Sequence, residues 1–468
     1  MWLVVDATTD RGVLEASLSR LTGRTTLCEE KRGQLSLAPF TLMSAQFLLM
    51  LRQLAGLIVL AVVAVAARAD PTGLALPGLE PYDEFMTSLI RKWDIAGASL
   101  AVARRDKLLL ARGYGLANKE GNVPVEPASL FRLASLSKTI TAVAVLRLVQ
   151  DGQVKLDDKV VPLLGELGPR PEKIADARVN DITVRHLLQH SGGFNRARSG
   201  DVVGLRGAAA AAKRQGAPLP PDCPTILRDT LERKLDFTPG EYYAYSNIGY
   251  CILGRVIERV TGVGYEQFAR EHVLTPAGAT GMKVGRTLEA ARGEVTYYDY
   301  REARPVKAMP GLGLAFARRP YGAFAIETMD SYGGWIGAPT EYLRFILAID
   351  GRRGNALLNA ATVAEMNARP NLQPAPGDDE EKLAEAVFYG LGINARAVKN
   401  GLNLWHGGSL AGTSTFAVRT ADGYAWVAAF NGRPQDRSAF RGELDRGLWA
   451  ARSKVKKWPD GDLFSERP

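Results

Sequence analysis

Apolar positions from Ser135 to Gln150 recur at three- and four-residue steps, with Ile140, Val143, Leu146 and Val149 on one side. Gly152 follows where a left-handed C-terminal cap is wanted, so a helix is predicted from Ser135 onward. The same periodicity predicts helices over Tyr82–Lys92, 246–261 (closed by Gly262), Thr340–Ile349 with Thr340 as N-cap, and Arg437–Lys456. Strand patterns lie at both ends of the chain. Early ones are Gly97–Arg104 and Leu108–Tyr114, joined by the polar turn Arg105-Asp106-Lys107. Late ones are Tyr389–Ala395, Leu404–Gly407, Thr413–Arg419 and Tyr424–Asn431, with Asp422-Gly423 as a hairpin turn. Between them, residues 153–330 read as helix and loop, and the Pro- and acid-rich stretch 368–387 reads as an exposed loop. One sheet closed by the two termini, with an inserted helical region and a cleft between them, accounts for this order. The expected division is an α/β (α+β) part, about 82–134 and 331–456, a helical part at 153–330 and a tail at 457–468.

Composition narrows the function classes. Of 468 residues 46% are hydrophobic and 23% charged, which is ordinary for a globular chain. The net charge of +9 is spread without a long basic run, so nothing calls for a nucleic-acid partner. Arg52 precedes an apolar run, Leu54 to Ala66, and Ala67-Arg68-Ala69 has the small-x-small form of a signal-peptide cleavage site. The run falls short of the roughly 20 residues that span a bilayer. Residues 1–69 are therefore read as a presequence, with 1–42 upstream of a start at Met43 or Met50. The mature chain from Asp70 is expected to be exported, periplasmic or secreted, without a membrane span. Cys223 and Cys251 can pair in an oxidising compartment, but Cys251 shares an apolar helix face with Ile248, Ile252 and Val256, which favours a buried thiol. His186 and His190, the one helical i,i+4 histidine pair, lack the intervening acid of a zinc hydrolase and are read as structural. No metal or cofactor is called for.

Candidate chemistry centres on Ser135 and Lys138. Three residues apart, the lysine amine lies on the hydroxyl's side of the helix, a compact nucleophile-plus-base unit. Ser137 points about 100° away and is a decoy. The helix N-terminus favours a developing oxyanion. Two stretches supply partners. In Tyr245-Ser246-Asn247, residues two apart face the same way: Tyr245 can take and return the Ser135 proton, and Asn247 can hold Lys138 and a substrate carbonyl. In His406-Gly407-Gly408-Ser409, paired glycines admit close approach, and the Ser409 N–H can complete an oxyanion hole with that of Ser135. Gly407-Gly408-Ser409-Leu410-Ala411 also approximates a Gly-x-Ser-x-Gly elbow, but no helix follows it and no Asp-then-His order comes after it.

Taken in this order, the motifs resemble the serine β-lactamase and penicillin-recognising enzymes, in particular the class C β-lactamase-like branch with D-Ala-D-Ala carboxypeptidases, D-amino-acid peptidases and carboxylesterases. The resemblance runs from about Tyr82 to Trp449. It includes Phe131–Lys138, Leu156-Asp157-Asp158, Ile182–Gly193, Phe237-Thr-Pro-Gly240, Tyr245-Ser-Asn247, Gly333-Gly334 and His406-Gly-Gly408. It implies an α/β sandwich with a helical domain. Ser135 would be the acyl-forming nucleophile, Lys138 and Tyr245 the proton-handling pair, Asn247 and His406 to Ser409 the substrate-binding residues. The implied partner is a small-molecule or peptide substrate. Two departures steer away from an efficient β-lactamase. The third motif is His-Gly-Gly rather than Lys-Thr-Gly, and a histidine grips a carboxylate weakly at neutral pH. The segment Phe194-Asn-Arg-Ala197 lacks the lactamase glutamine. An esterase or peptidase is the leading expectation. A non-catalytic relative that binds cell-wall peptide or a partner protein is the alternative, and the intact Ser135, Lys138, Tyr245 and Asn247 argue against it.

Overall fold

The computed structural model describes residues 70–376 and 386–465. The presequence and the centre of the 368–387 loop lie outside the described residues.

An antiparallel sheet joins the two ends of the chain. Its strands are β1 (Thr72–Ala75), β2 (Gly97–Arg104), β3 (Lys107–Asn118), β4 (Val387–Tyr389), β5 (Asn394–Val398), β6 (Gly401–Leu410), β7 (Thr413–Arg419) and β8 (Tyr424–Phe430). They lie in the order β1-β3-β2-β8-β7-β6-β5-β4, and Val123–Pro124 pairs with β3. The closure is the β8–β2 ladder, which pairs Phe430 with Ala98 and Tyr424 with Arg104. Both central strands are buried on two faces, so they read as apolar runs with small residues on one side. Leu100, Val102, Trp426 and Phe430 point into a core shared with α1 (Glu80–Lys92) and the terminal helix α7 (Arg437–Lys454). Ala101, Ala103, Ala425 and Val427 point the other way, into the larger core beneath α2 (Ser137–Gln150) and α6 (Pro339–Ala348). Among the described residues no helix is long and apolar enough to cross a membrane.

Several boundaries differ from the periodicity, each for a local reason. Ser135 lies in a 3-10 turn, Ala134–Leu136, and the α-helix proper begins at Ser137. Ala134 has φ +50°, which a continuous helix excludes. α6 starts at Pro339 with Ala338 as its cap, because a proline at the first helical position presets φ and needs no side-chain cap. The expected strand 389–395 is broken into β4 and β5 by Gly390-Leu391-Gly392, where Gly392 takes φ +87°. Within the expected exposed loop, Gln373–Pro374 pairs with Tyr242–Tyr243.

The intervening region layers α3 (Leu205–Gln215) on α4 (Cys223–Leu231), α4 on α5 (Asn247–Thr261), and α5 on α2. α2 is buried nearly all round, as expected of a helix enclosed between layers. Cys223 on α4 and Cys251 on α5 form a disulfide, with Cα atoms 6.0 Å apart. This corrects the expectation of a buried thiol at Cys251: an apolar helix face met a second cysteine presented by α4.

Candidate active site

The turn that bears Ser135 is held from behind by a buried cation. Arg132, 1% exposed, donates to the carbonyl oxygens of Pro320 at 2.6 Å and Thr287 at 3.1 Å. Its guanidinium also lies 3.8 Å from the buried Glu294 carboxylate and 4.3 Å from the Tyr297 ring centre. From the front, β6 presses on the same turn. A Cβ on Gly408 would fall on the Thr415 hydroxyl, the Leu133 carbonyl and Ala134, and Thr415 Oγ1 itself donates to Leu133 O at 2.9 Å. The second glycine of the motif is thus required by close backbone approach.

Lys138 is wholly buried on the first turn of α2. Its Nζ is 3.3 Å from Ser135 Oγ, 2.8 Å from Asn247 Oδ1 and 2.7 Å from the Tyr332 carbonyl oxygen. The Tyr332 contact was not legible in the sequence, being a backbone oxygen almost two hundred residues away. Ser137, the decoy, is buried and accepts from the Trp335 N–H. Tyr245 lies in the extended segment before α5, and its ring centre is 5.0 Å from Lys138 Nζ. His190 fixes that segment: its carbonyl oxygen accepts from Ala244 N at 2.8 Å and its Nδ1 from Ser246 N at 3.1 Å, while its ring lies 4.3 Å from that of Tyr245. Asn247 opens α5, with its Oδ1 toward Lys138 and its Nδ2 donating to Asp201 at 2.7 Å. Asp201, in a loop with no distinguishing pattern, is a further residue that sequence reasoning missed.

His186 accepts from Thr183 N to complete a helix capping box, so both members of the histidine pair have structural work. Burial and the nearby Lys138 charge hold the His190 ring well below the ordinary histidine range.

Past its last pairing with β5, Asn394 with Trp405, the strand β6 runs on from His406 to Leu410 with β7 on one side only. Ser135, Tyr245, Asn247 and the His406–Ser409 segment all line one cleft of about 1340 Å³. His406 is 3% exposed, with Nε2 3.0 Å from the Tyr389 hydroxyl and Nδ1 2.9 Å from the Gly407 oxygen. Burial first, and then the Lys138 charge, push its pKa down to about 3. The ring is neutral at physiological pH and cannot serve as a cationic anchor. The cation beside this motif comes instead from α7: a Cβ on Gly407 would strike the Arg441 guanidinium, which lines the cleft.

The two buried histidines imply a specific acid sensitivity. Both have folded pKa values below the unfolded value of about 6.5, so the unfolded chain binds more protons between the two and stability falls as pH drops. Loss should begin near pH 6.5, at up to about 1.4 kcal/mol per pH unit per histidine. The ion-paired Asp176 and Glu232, held at about 2, act only lower down. Thermal melts at pH 7.5 and 5.0 should therefore differ clearly, and His406→Gln should reduce the difference; equal melts at the two pH values would refute this origin.

The family model described as Beta-lactamase matches residues 83–447. The chain belongs to that family. It is thus a serine hydrolase of the β-lactamase, esterase and DD-peptidase type. It is 31% identical over 306 residues to the esterase EstB of Burkholderia gladioli, covering 62% of this chain and 75% of the esterase. It is 24% identical to the flp protein of Staphylococcus aureus strain MW2, spanning about half of that protein (54%) and 62% of this chain. Its fold is shared with the D-amino acid amidase of Ochrobactrum anthropi SV3, at TM-score 0.61, 20% identity and coverage of 81% of this chain and 99% of the amidase. A penicillin-binding protein homologue of Pyrococcus abyssi gives TM-score 0.57 at 21% identity, covering 81% of this chain and 78% of the homologue. The class C β-lactamase-like architecture expected from the motifs is the one observed.

Proposed function

We propose that this protein is an exported esterase or amidase that works through an acyl-enzyme on Ser135. The observation that carries the reading is the Lys138 ammonium, placed within hydrogen-bond reach of Ser135 Oγ while Asn247 and the Tyr332 carbonyl hold it from two other sides. Ser135 Oγ attacks the substrate carbonyl carbon as its proton passes to the Lys138–Tyr245 pair, with Tyr245 as the base. The carbonyl oxygen takes up the negative charge facing the backbone N–H groups of Ser135 and Ser409. Collapse breaks the ester or amide bond, and Tyr245 returns the proton to the leaving alcohol or amine. Water then attacks the acyl-serine by the same steps, releasing the acid and restoring Ser135. Asn247 positions Lys138 and the substrate carbonyl, and Gly408 lets β6 lie directly against the turn that bears Ser135.

The neutral His406 weighs against dependence on a β-lactam carboxylate bound at that position, and the likeness to an esterase weighs toward ester substrates. Export is supported by the Cys223–Cys251 disulfide, which belongs in an oxidising compartment. The catalytic unit would occupy 70–456, with its sheet part at both ends and its helical part at 153–330.

Intact-mass spectrometry after incubation with p-nitrophenyl acetate, a D-amino-acid amide, a fluorophosphonate and a penicillin tests this. We expect one fluorophosphonate adduct on Ser135 and turnover of the ester or the amide. Rapid turnover of the penicillin alone would restore a β-lactamase, and a wholly inert Ser135 would make the protein a binding relative.

A further inference from the structure

We propose that Arg196 is a positioning residue for the proton-handling pair: its guanidinium, held over the Tyr245 ring, supplies the second positive charge that lets this tyrosine act as a base. The inference rests on the role given to Tyr245 above. A phenol ionises near pH 10, so a tyrosine that must accept a proton near neutrality depends on cations around it. Lys138 supplies one, with Nζ 5.0 Å from the ring centre. Arg196 supplies another, with its guanidinium carbon 4.9 Å from the same point.

The other groups around Tyr245 contribute little positive charge. His190, in the turn that follows the short helix Val184–Leu188, lies tilted 4.3 Å from its ring but is buried and neutral. Tyr250 on α5 and Tyr389 on β4 both contact the His190 ring, and burial drives their phenols upward, so they stay protonated. His406 on β6, bonded to Tyr389, is neutral. Asp201 reaches the site through Asn247 and adds a negative charge there. With His406 neutral, the positive side of the balance falls to Lys138 and Arg196.

Arg196 is delivered by a built segment rather than a loose loop. It opens the short helix Arg196–Ser199, for which the Asn195 side chain accepts from Ala197 N at 2.8 Å. Asn195 is itself buried and donates its N–H to Asp236 at 2.8 Å, and Arg198 donates to the Asp236 carbonyl oxygen at 2.9 Å. The side chain also lines the cleft, so a substrate contact is the competing role.

The pH dependence of p-nitrophenyl acetate hydrolysis separates these roles, comparing wild type with Arg196→Gln, Arg196→Met and Arg196→Lys, and with Tyr245→Phe as the reference. A cation at this distance shifts a neighbouring acid by about one to three pH units. We therefore expect Gln or Met to move the ascending limb of kcat/KM upward by about one to two units, and to lower kcat at pH 7 about 10- to 100-fold with KM within about threefold. Lysine should restore the limb. An unmoved limb, or a loss confined to KM, overturns the proposal, as does a lowered melting temperature with an unchanged pH profile. If one neutral variant does not fold, the other serves the same comparison. Activity that survives Tyr245→Phe or Ser135→Ala would instead overturn the parent reading.

Discussion

Ser135→Ala is expected to lower kcat/KM for an ester substrate by about 10³-fold or more, with no loss of melting temperature. The hydroxyl lines the cleft 3.3 Å from Lys138 Nζ, and without it the lysine keeps its bonds to Asn247 and the Tyr332 carbonyl. Lys138→Ala should lose activity to a similar degree but for an additional reason. The ammonium is wholly buried and also donates to Asn247 Oδ1 and the Tyr332 carbonyl, so the variant leaves acceptors without donors and lowers stability by about 1–3 kcal/mol. A double variant should be no worse in activity than either single, because the two groups act as a unit. Steady-state kinetics and thermal melts on the three proteins check this. Full activity in either single variant would remove Ser135 and Lys138 from the chemistry.

The second large effect lies behind the site. Arg132→Met should cost about 3–5 kcal/mol, because it removes one member of a buried charge pair and several donors at once. Glu294, with a side chain 1% exposed, would keep its Tyr297 hydrogen bond but lose the nearby positive charge. The carbonyl oxygens of Pro320, Arg286 and Thr287 would lose their donor as well. Because Phe131–Arg132 leads directly into the turn that bears Ser135, activity should fall together with stability, and Arg132→Met/Glu294→Gln should recover part of the stability. Urea titration of the single and double variants measures it. A single variant within about 0.5 kcal/mol of wild type would show that the pair carries no net weight.

What the amino-acid order settles by itself is local. Three- and four-residue apolar steps placed α1, α2, α5 and α7 to within a few residues, and alternating or apolar runs placed β2, β7 and β8. The Ser135–Lys138 spacing sets up their contact, because residues three apart on one turn are neighbours wherever the turn lies. Fold class followed from strands at both ends and helices between them. Boundaries failed where a tertiary demand overrode local preference. Ala134 is forced to positive φ where β6 crosses it, and Gly390 to Gly392 bends what reads as one strand into two.

The site's electrostatics belong to the tertiary structure alone. No spacing reveals that the Tyr332 carbonyl receives Lys138, that Asp201 holds Asn247, or that Arg196 lies on Tyr245, because these pairs are brought together by packing across the chain. The charge on His406 is the sharpest case. Its identity is written in the sequence, but its neutrality comes from burial and from the nearby Lys138 charge. The same holds for Cys223 and Cys251, which pair because α4 and α5 bring their Cα atoms within 6.0 Å. A one-dimensional pattern carries periodicity and side-chain chemistry; desolvation, distance and backbone approach exist only once the sheet has closed around the turn that bears Ser135.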